Sequence, residues 1–509
     1  MNSKILITSL LLGTVIFGGC SAGNSGANEG NTMDHSNMGH KEMSNMEGMD
    51  HSNMTQEEME DMENGHANHT NPLSLNNSTG ENEIALPPFI EPKDGIVHIT
   101  AQQGTTEIFK GIETETYGYN GSFLGPIIHL KEGETVTFRT KNDLSEQTTF
   151  HWHGVEIPGE GDGGPHQILE PGALKDVKFT VSQEAATLWF HPHPEGATAE
   201  QVYKGLAGLI YIEDEHSKKL ELPKEYGEND FPLIFQDRQF TEKKQFDYQS
   251  VLSEDGTIGD ALLINGTLNP KLTVGKEKVR LRLLNGSNAR NYTFKLNTGD
   301  KFQQIATDGG FLNKPISMNE ISLTPGERAE IIVDFSKFDS KSKIALVNKE
   351  DRILLPFTVD EQKKNVSEIP KNLNDYMVTD AERNLPVTKK LELFGMGKMV
   401  TINDKKFDMN RIDFTQRQGD TEIWELYNKP DMMGGMIHPF HIHGTQFKIV
   451  SMDGKEPPAN LKGWKDTVSI EAGQTVKLAV KFNDKGIYMF HCHVLEHEEN
   501  GMMGQVEVN

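Results

Sequence analysis

The chain has 509 residues, too many for one hydrophobic core, and at about 100 to 200 residues per domain it should form about three domains. Its 50 Lys and Arg residues against 75 Asp and Glu residues give a formal net charge of −25, which repels phosphate backbones and argues against nucleic acid as a partner. The 48 glycines, 22 prolines and many short alternating runs of Val, Thr and Ile are typical of an all-β protein, not of a helical bundle. Only Cys20 and Cys492 are cysteines, which excludes a disulfide framework.

Residues 1–19 have the organisation of a secretory signal peptide. Lys4 precedes the apolar run 5–17, and two glycines then lead to Cys20. The run is shorter than the roughly 20 residues that span a membrane. Residues 17–20 resemble the cleavage site of a bacterial lipoprotein, which implies that Cys20 is acylated and anchors the protein on the outer face of the cytoplasmic membrane. The alternative is an ordinary signal peptide cut near Ala22, which would leave a free secreted protein.

Residues 20–84 are polar and acidic, and we expect them to form a disordered tether. From residue 21 to 81 no aromatic residue and no apolar period occurs, so the segment cannot bury enough surface to offset its ordering entropy. The sequence of residues 33–38 recurs at 49–54, and eight of the 21 methionines fall between residues 33 and 62. Thioethers prefer soft Cu(I) and imidazoles bind copper in either oxidation state, so this composition suits weak copper capture. A plain tether with incidental methionines is the alternative.

Beyond the tether, period-two alternation predicts half-buried strands. It occurs at 134–139, 278–283 and 475–482, each time after a turn that contains glycine. We divide this part of the chain into domains at 85–220, 221–384 and 385–509, the second ending in a polar linker. Each is about the size of a Greek-key β-sandwich.

Histidines are concentrated in four short clusters, two in the first domain and two in the third. Ten of the 19 histidines lie in these clusters, and none occurs between His216 and His438. We expect a site between the first and third domains, with the middle domain as a spacer. The clusters are His151 and His153; His191 and His193; His438, His441 and His443; and His491, His493 and His497.

The spacing within the clusters predicts two separate metal sites. In a strand, residues i and i+2 face the same side and residue i+1 the other, so Cys492 faces away from His491 and His493. His438 likewise faces away from His441 and His443. One site then collects Cys492, His438, His497 and Met502, the ligand set of a blue copper electron-transfer centre. The other site collects eight imidazoles, a ligand set that suits several copper ions. An electron on the Cys492 sulfur has only the backbone of one residue to cross before it reaches this second site. Such a pair of sites fits the four-electron reduction of O2 to water.

These motifs resemble those of the multicopper oxidase family, and residues 438–446, 463–467 and 491–498 resemble the bacterial cuprous oxidases of copper tolerance. The resemblance covers about residues 85–509, including Pro325-Gly-Glu-Arg328 in the middle domain. It implies three cupredoxin-like domains and four copper ions. It also implies type 1 copper at His438, Cys492, His497 and Met502; type 2 copper at His151 and His441; and a type 3 pair at His153, His191, His193, His443, His491 and His493. Every ligand position is filled, unlike in copper-free relatives of the cell-division type.

Three acidic residues are candidates for supporting roles. Asp162 matches an acid that in the family lies near the cluster, which implies assistance in proton delivery. Glu498 is a second proton shuttle candidate, and for both residues a surface turn is the alternative. We expect Asp466 to accept a hydrogen bond from His438, with a purely structural role as the alternative.

Methionines ahead of His438 bear on the electron donor. Met436 matches a ligand for substrate Cu(I) in the cuprous oxidases, and Met433 and Asp431 could join it. Gly434 departs from the pattern, since the family places an aspartate there. Packing at a turn is the alternative role of these methionines. The long Met-rich insertion of some relatives is also missing between residues 361 and 413, which predicts a more open type 1 edge that admits bulky phenols.

We therefore expect an extracytoplasmic, lipid-anchored monomer that oxidises Cu(I) with O2 in copper tolerance. A laccase-like oxidase of phenols or aromatic amines is the enzymatic alternative. A lipoprotein that only sequesters copper is the non-enzymatic one, although storage needs no cysteine between two cluster histidines.

Overall fold

The computed structural model describes residues 74–361, 368–432 and 434–509. The predicted signal peptide, Cys20, the Met-rich part of the tether and Met433 lie outside these residues. Strands dominate the described chain, so the predicted all-β fold class is confirmed. Among the helices of the described residues, none is long and apolar enough to cross a membrane.

The first module is a sandwich of two four-stranded sheets. After β1 (Asn82–Glu83), which pairs with the middle module, its strands are β2 (Phe89–Ile90), β3 (Ile96–Phe109), β4 (Ile112–Tyr119), β5 (Ile127–Lys131), β6 (Thr135–Asp143), β7 (Leu174–Thr180), β8 (Ala186–Phe190) and β9 (Gly208–Glu213). The sheet orders are β4-β3-β6-β7 and β2-β5-β9-β8. β6 contains the predicted strand, and its Val136 and Phe138 side chains alternate into the core between more exposed neighbours.

The middle module packs a seven-stranded sheet on a six-stranded one. Its strands are β10 (Asp230–Arg238), β11 (Leu252–Ser253), β12 (Gly256–Thr257), β13 (Ala261–Ile264), β14 (Thr267–Leu268), β15 (Pro270–Gly275), β16 (Lys278–Asn285), β17 (Tyr292–Leu296), β18 (Phe302–Thr307), β19 (Gly310–Met318), β20 (Glu320–Leu323), β21 (Arg328–Asp334), β22 (Ile344–Val347) and β23 (Ile353–Asp360). The orders are β14-β13-β10-β16-β21-β18-β19 and β1-β15-β23-β22-β17-β20, with β11 and β12 as a separate hairpin.

The third module has two five-stranded sheets. Its strands are β24 (Val387–Phe394), β25 (Thr401–Ile402), β26 (Phe414–Gln416), β27 (Thr421–Asn428), β28 (His438–Ile442), β29 (Lys448–Met452), β30 (Thr467–Ile470), β31 (Thr475–Lys481), β32 (Gly486–Cys492) and β33 (Met503–Val508). The orders are β25-β24-β27-β31-β29 and β26-β33-β32-β28-β30, so the strands that begin and end with cluster residues, β28 and β32, are neighbours.

Helices are short and lie in the connections. The α-helices are α1 (Thr198–Lys204), α2 (Asp380–Arg383) and α3 (Leu495–Glu499). Single 3-10 turns occur at Gly159–Gly161, Pro165–Gln167, Ser217–Lys219, Gln249–Val251, Phe335–Lys337, Gly397–Met399 and Ala459–Leu461. α3 follows the histidine and cysteine cluster at the end of β32 directly and contacts α1 of the first module.

Residues 74–84, which we predicted as the end of the disordered tether, belong instead to the middle module. β1 pairs in parallel with β15. The Leu75 and Ile84 side chains are buried in the middle core. These two apolar residues give the segment enough buried surface to become ordered, so the predicted boundary at residue 84 is wrong.

Candidate metal centres

Adjacent antiparallel strands bring the two clusters of the third module together. β28 pairs with β32 so that His441 lies opposite His491 and Phe440 opposite Cys492. Cys492 therefore points to one side of the sheet, while His491 and His493 point to the other, as the alternation of strand side chains predicted. His151 of the first module bridges to His191 through backbone hydrogen bonds of 2.9 and 3.1 Å, which joins its two clusters in the same way.

The thiol site lies inside the third module. Cys492 Sγ lies 3.5 Å from His438 Nδ1 and 3.9 Å from His497 Nδ1, and all three side chains are buried. Met502, also fully buried, is fixed beside them because its carbonyl accepts a hydrogen bond from the Cys492 N–H (3.1 Å). Burial raises the pKa of the Cys492 thiol, so the thiolate needs a bound cation to form at neutral pH.

Eight imidazoles meet between the first and third modules. His491 Nε2 lies 3.1 Å from His443 Nε2 and 3.2 Å from His193 Nε2, and His441 Nε2 lies 3.4 Å from His151 Nε2. All eight rings are buried, at 1% exposure or less. The cluster consists of His151, His153, His191, His193, His441, His443, His491 and His493.

Hydrogen bonds at the far side of six of the eight rings fix which nitrogen carries the lone pair. Nδ1–H of His491 donates to the Cys492 carbonyl (3.0 Å), and Nδ1–H of His443 donates to Asp162 Oδ2 (2.7 Å). A neutral imidazole has only one N–H, so the two Nε2 atoms face each other with lone pairs. Lone pairs at 3.1 Å repel unless a cation lies between them.

The same pattern recurs around the cluster. Nδ1–H of His191 donates to the Pro192 carbonyl (2.8 Å), and its Nε2 is buried with no hydrogen-bond partner among the described residues. His153 is reversed, because its Nε2–H donates to Asp466 Oδ1 (3.0 Å) and leaves Nδ1 as the buried nitrogen that has no partner in the described part of the chain. Outward N–H donors and inward lone pairs are the arrangement of metal-binding histidines.

Burial favours the neutral form of several of these rings. Desolvation, assisted by neighbouring imidazoles, lowers the pKa of His153, His193 and His441 well below the ordinary value. It lowers the pKa of His493 to about 3 and that of His497 to about 4. A neutral ring is the form that binds a metal, so the donor set fits copper in both sites.

Two carboxylates touch the cluster from opposite sides. Asp162, 1% exposed, bonds His443 and lies 3.5 Å from His151 Nδ1. Glu498 Oε1 lies 3.3 Å from His193 Nε2 and its Oε2 lies 3.2 Å from His491 Nδ1. Burial raises the pKa of Glu498 well above its ordinary value, which favours the protonated carboxyl.

Asp466 does not contact His438 as we expected, so that prediction is wrong. β28 and β30 pair with His441 opposite Thr467 and His438 opposite Ile470, which places Asp466 beside the imidazole cluster. Its carboxylate accepts hydrogen bonds from His153 (3.0 Å), from Thr467 Oγ1 (2.9 Å) and from Gln446 Nε2 (2.8 Å).

Arg328, to which sequence reasoning gave no role, holds Asp466 from the middle module. Its NH1 and NH2 donate to the two carboxylate oxygens of Asp466, both at 2.6 Å, and both residues are fully buried. Lys465 pairs with Asp308 Oδ2 (2.8 Å) and Glu327 Oε1 (3.1 Å) alongside. The middle module is therefore more than a spacer. The only sequence signal for Arg328 was its place in the family motif Pro325-Gly-Glu-Arg328, and this motif does not identify the residue that Arg328 contacts.

The thiol site is closed at its edge, contrary to the open edge that we expected. His438 and His497 are 1% and 0% exposed. Nε2–H of His497 donates to the backbone carbonyl of Glu254 in the middle module (2.9 Å). Met436 is partly buried and packs against the core of the third module, while Asp431 Oδ1 accepts a hydrogen bond from the Gly435 N–H (2.8 Å).

A cavity of about 170 Å³ reaches the imidazole cluster from the surface. His193 and Glu498 line its inner part, with Glu499 and Lys406 also on its wall. Burial raises the pKa of Glu499 to about 7. The cavity therefore borders one imidazole of the cluster and the Glu498 carboxyl group.

Three β-sandwich modules with a thiol site joined through adjacent residues to an imidazole cluster define a class of protein with several copper centres. Family models for multicopper oxidase match residues 100–217, 226–351 and 380–509. The multicopper oxidase mco of Staphylococcus epidermidis is 50% identical over 445 residues, which are 86% of this chain and 95% of that protein. The chain therefore belongs to the multicopper oxidase family, which implies copper cofactors and oxidoreductase activity.

Other relatives carry different names. The crystal structure of a laccase from Pediococcus acidilactici superimposes with a TM-score of 0.82 at 42% identity, covering 86% of this chain and 96% of the laccase. The cell division protein FtsP of Photorhabdus laumondii is 34% identical over 441 residues, 83% of this chain and 91% of that protein. Membership of the family therefore does not by itself identify the electron donor.

Proposed function

We propose that the protein is an oxidase that takes electrons from Cu(I) at the thiol site and reduces O2 to water at the imidazole cluster. The observation that supports the oxidase function is that buried nitrogen lone pairs face each other, as those of His443 Nε2 and His491 Nε2 do at 3.1 Å. In the sequence, Cys492 lies directly between two of these histidines, His491 and His493. A donor set of this kind binds copper, and its covalent connection serves electron transfer.

We propose that the two sites together hold four copper ions. We assign type 1 copper to His438, Cys492, His497 and Met502; type 2 copper to His151 and His441; and the type 3 pair to His153, His191, His193, His443, His491 and His493. When bound, copper supplies one-electron transfer and the site at which O2 is reduced. The protein holds the donors in place through Asp162, Asp466 and backbone carbonyls, and it excludes bulk water by burying them.

Protons for water formation come from the two carboxyl groups at the cluster. Burial raises the pKa of Glu498, which favours a proton on this carboxyl, and Glu498 lines the cavity. Asp162 bonds the far nitrogen of His443 on the other side. We propose that Glu498 delivers protons along the cavity and that Asp162 assists from the opposite face.

Methionines near the thiol site support Cu(I) as the donor. Met436 precedes His438 by two residues, and Met432 in the same loop is 67% exposed. Soft thioethers favour Cu(I) over hard cations. Burial of the His438 and His497 side chains supports a small ion over a bulky phenol as the donor, because neither imidazole exposes a face on which a phenol ring could stack.

The test compares donors in a Met436→Leu variant, which keeps about the same side-chain volume. We expect O2 uptake with Cu(I) to fall while the rate with dimethoxyphenol is retained, because only the thioether is lost. Met452→Leu is the matched control, since Met452 is also partly buried against the same core. If phenol is oxidised well without added copper and Met436→Leu changes nothing, the protein is a laccase-like oxidase of phenols or aromatic amines, as the name of its Pediococcus relative suggests.

We also propose an extracytoplasmic location, with Cys20 acylated and the protein a lipid-anchored monomer that serves copper tolerance. The lipoprotein-like residues 17–20 support the anchor, and the Met- and His-rich tether supports copper capture near the membrane. Wild-type protein expressed in the presence of radiolabelled palmitate should carry the label, and Cys20→Ala should not, because the acylated thiol is lost. Wild-type protein without the label would contradict the anchor.

A non-enzymatic role is the remaining alternative, either copper sequestration or a role like that named for FtsP. The complete donor set argues against both, since neither needs a cysteine between two cluster histidines. A purified protein that binds four copper ions but consumes no O2 with any donor would favour these alternatives.

A further inference from the structure

A second cavity, of about 440 Å³, lies where three parts of the chain meet, and none of its lining residues belongs to the proposed copper sites. Its walls come from residues 76–79, from the β3–β4 hairpin of the first module and from the β13–β14 edge of the middle module. The cavity at the imidazole cluster is smaller, at about 170 Å³. Small-molecule sites typically occupy about 300 to 1,000 Å³, so the second cavity has room for an organic ligand.

Hydrogen bonds hold the walls of this cavity in place. The Asn76 N–H donates to the Asp260 carbonyl (2.8 Å), which ties residues 76–79 to the middle module. On the other side, Thr114 Oγ1 of β4 donates to the Lys244 carbonyl (2.8 Å), which ties the first module to the loop after β10. Because the walls are already fixed, a ligand has to order little of the chain when it binds.

Polar side chains with free hydrogen-bonding groups line the cavity. Among the described residues, no hydrogen bond or ion pair engages the side chains of Asn76, Thr79, Asp260 and Asn269. Amides and hydroxyls both donate and accept hydrogen bonds, and a carboxylate accepts them. This lining therefore suits a ligand that carries several hydroxyl groups.

Two phenyl rings make the cavity partly apolar. Phe109, at the end of β3, meets Phe240 edge to face, with the ring centroids 4.8 Å apart. Lys244 Nζ lies 5.0 Å from the centroid of the Phe109 ring. The side chains of Leu262 and Leu268 also line the cavity. Apolar ring surface beside free polar groups matches a sugar ring, which carries C–H groups as well as hydroxyls.

Charge and the sheet edge argue against other classes of ligand. Lys244 and Asp260 are the only ionisable side chains among the lining residues, and their charges cancel, so neither an anion nor a cation is favoured. A peptide that added a strand would need a free sheet edge. Here β14 has only two residues, and Asn269 after it turns the chain away with a φ of +50°.

We propose that this cavity is a binding site for a neutral saccharide, with one hexose unit inside it. Asn76, Asp260 and Asn269 bond the hydroxyl groups of the sugar, and the phenyl rings pack against its C–H groups. A free sugar and a unit of a longer chain share this chemistry, so both are compared in the test. The site uses no copper ligand, and the inference is therefore independent of the proposed oxidase function.

The test is a ligand-observed NMR titration of the copper-loaded protein with glucose, N-acetylglucosamine and maltotriose, and with triglycine as a peptide probe. Asp260→Ala removes one hydrogen-bond acceptor, and Phe109→Ala removes one ring. Phe109 lies outside the core cluster of the first module, so its variant should fold. Asp255→Ala is the matched control, because Asp255 is a partly exposed carboxylate of the same module, like Asp260, and does not line the cavity.

We expect wild type and Asp255→Ala to bind at least one of the sugars equally well. Asp260→Ala should bind it about tenfold more weakly, as the loss of one charge-assisted hydrogen bond implies, and Phe109→Ala should also weaken it. Tighter binding of maltotriose than of glucose would identify a longer chain as the ligand, and equal binding would show that one sugar unit is recognised. O2 uptake with Cu(I) should not change in any variant.

Three results would overturn the saccharide site. They are no binding of any sugar to wild type, binding of triglycine alone, and equal sugar binding by Asp260→Ala and Asp255→Ala.

Discussion

Replacement of Arg328 should be among the most destabilising substitutions in this protein, although Arg328 is not one of the proposed metal ligands. It is fully buried, and its two NH groups neutralise Asp466, whose carboxylate also receives the His153 N–H. In Arg328→Met the Asp466 charge stays buried without its partner, and loss of one member of such a buried pair costs about 3 to 5 kcal/mol. Part of this cost should appear at the cluster, because Asp466 fixes which nitrogen His153 presents.

The assay is denaturant unfolding of the copper-loaded protein, followed by tryptophan fluorescence, together with copper content. Trp189 stacks on His191 at 4.2 Å between ring centroids, so its emission reports on the cluster. We expect Arg328→Met to unfold at a clearly lower denaturant concentration and to lose copper from the cluster. Arg352→Met, at an exposed arginine of the same module, should unfold with wild type. Equal midpoints and equal copper contents for the two variants would refute the reasoning.

Further outcomes follow for the thiol and for a carboxyl group in the cavity. Cys492→Ser should lose both turnover and the blue absorbance at about 600 nm, because an alcohol does not provide a thiolate ligand. Blue protein after this change would contradict the assignment. Burial raises the pKa of Glu499 from 4.5 to about 7, so between these values the folded state holds a proton that the unfolded state has released. Stability should therefore fall as pH rises through this window, by about 3 kcal/mol at most, and Glu499→Gln should lack this loss. Thermal unfolding of wild type and Glu499→Gln at pH 5 and pH 8 measures this loss of stability. The same change in stability between the two pH values for both proteins would count against the role of Glu499.

The strands and the histidine faces could be predicted because their signals are local. The alternation at 134–139 and 475–482 reappears in β6 and in the first half of β31. The half-buried strand that we predicted at 278–283 is wrong, because β16 is buried on both faces and its Arg280 pairs with Glu330 inside the module. The opposite orientations of Cys492 and His491 followed from the two-residue period of a strand, which holds wherever a strand exists.

Contacts between modules could not be predicted because no local pattern encodes them. Arg328 meets Asp466 across 138 positions, and His497 meets the Glu254 carbonyl across 243. Every residue has a backbone carbonyl, so the sequence gives no sign that the Glu254 carbonyl bonds His497. For this reason the closed edge of the thiol site could not be predicted. The wrong partner for Asp466 has a similar cause, since the register of β28 and β30 decides which histidine it faces.

The stoichiometry of Cu(I) oxidation tests the central claim most directly. A sample with four copper ions per chain is mixed with a known amount of Cu(I), while O2 uptake and hydrogen peroxide are measured. The account predicts that four Cu(I) are oxidised per O2 consumed and that no peroxide accumulates, since electrons pass from the thiol site to one cluster. Two Cu(I) per O2 with peroxide released, or no O2 uptake by the copper-loaded protein, would contradict it.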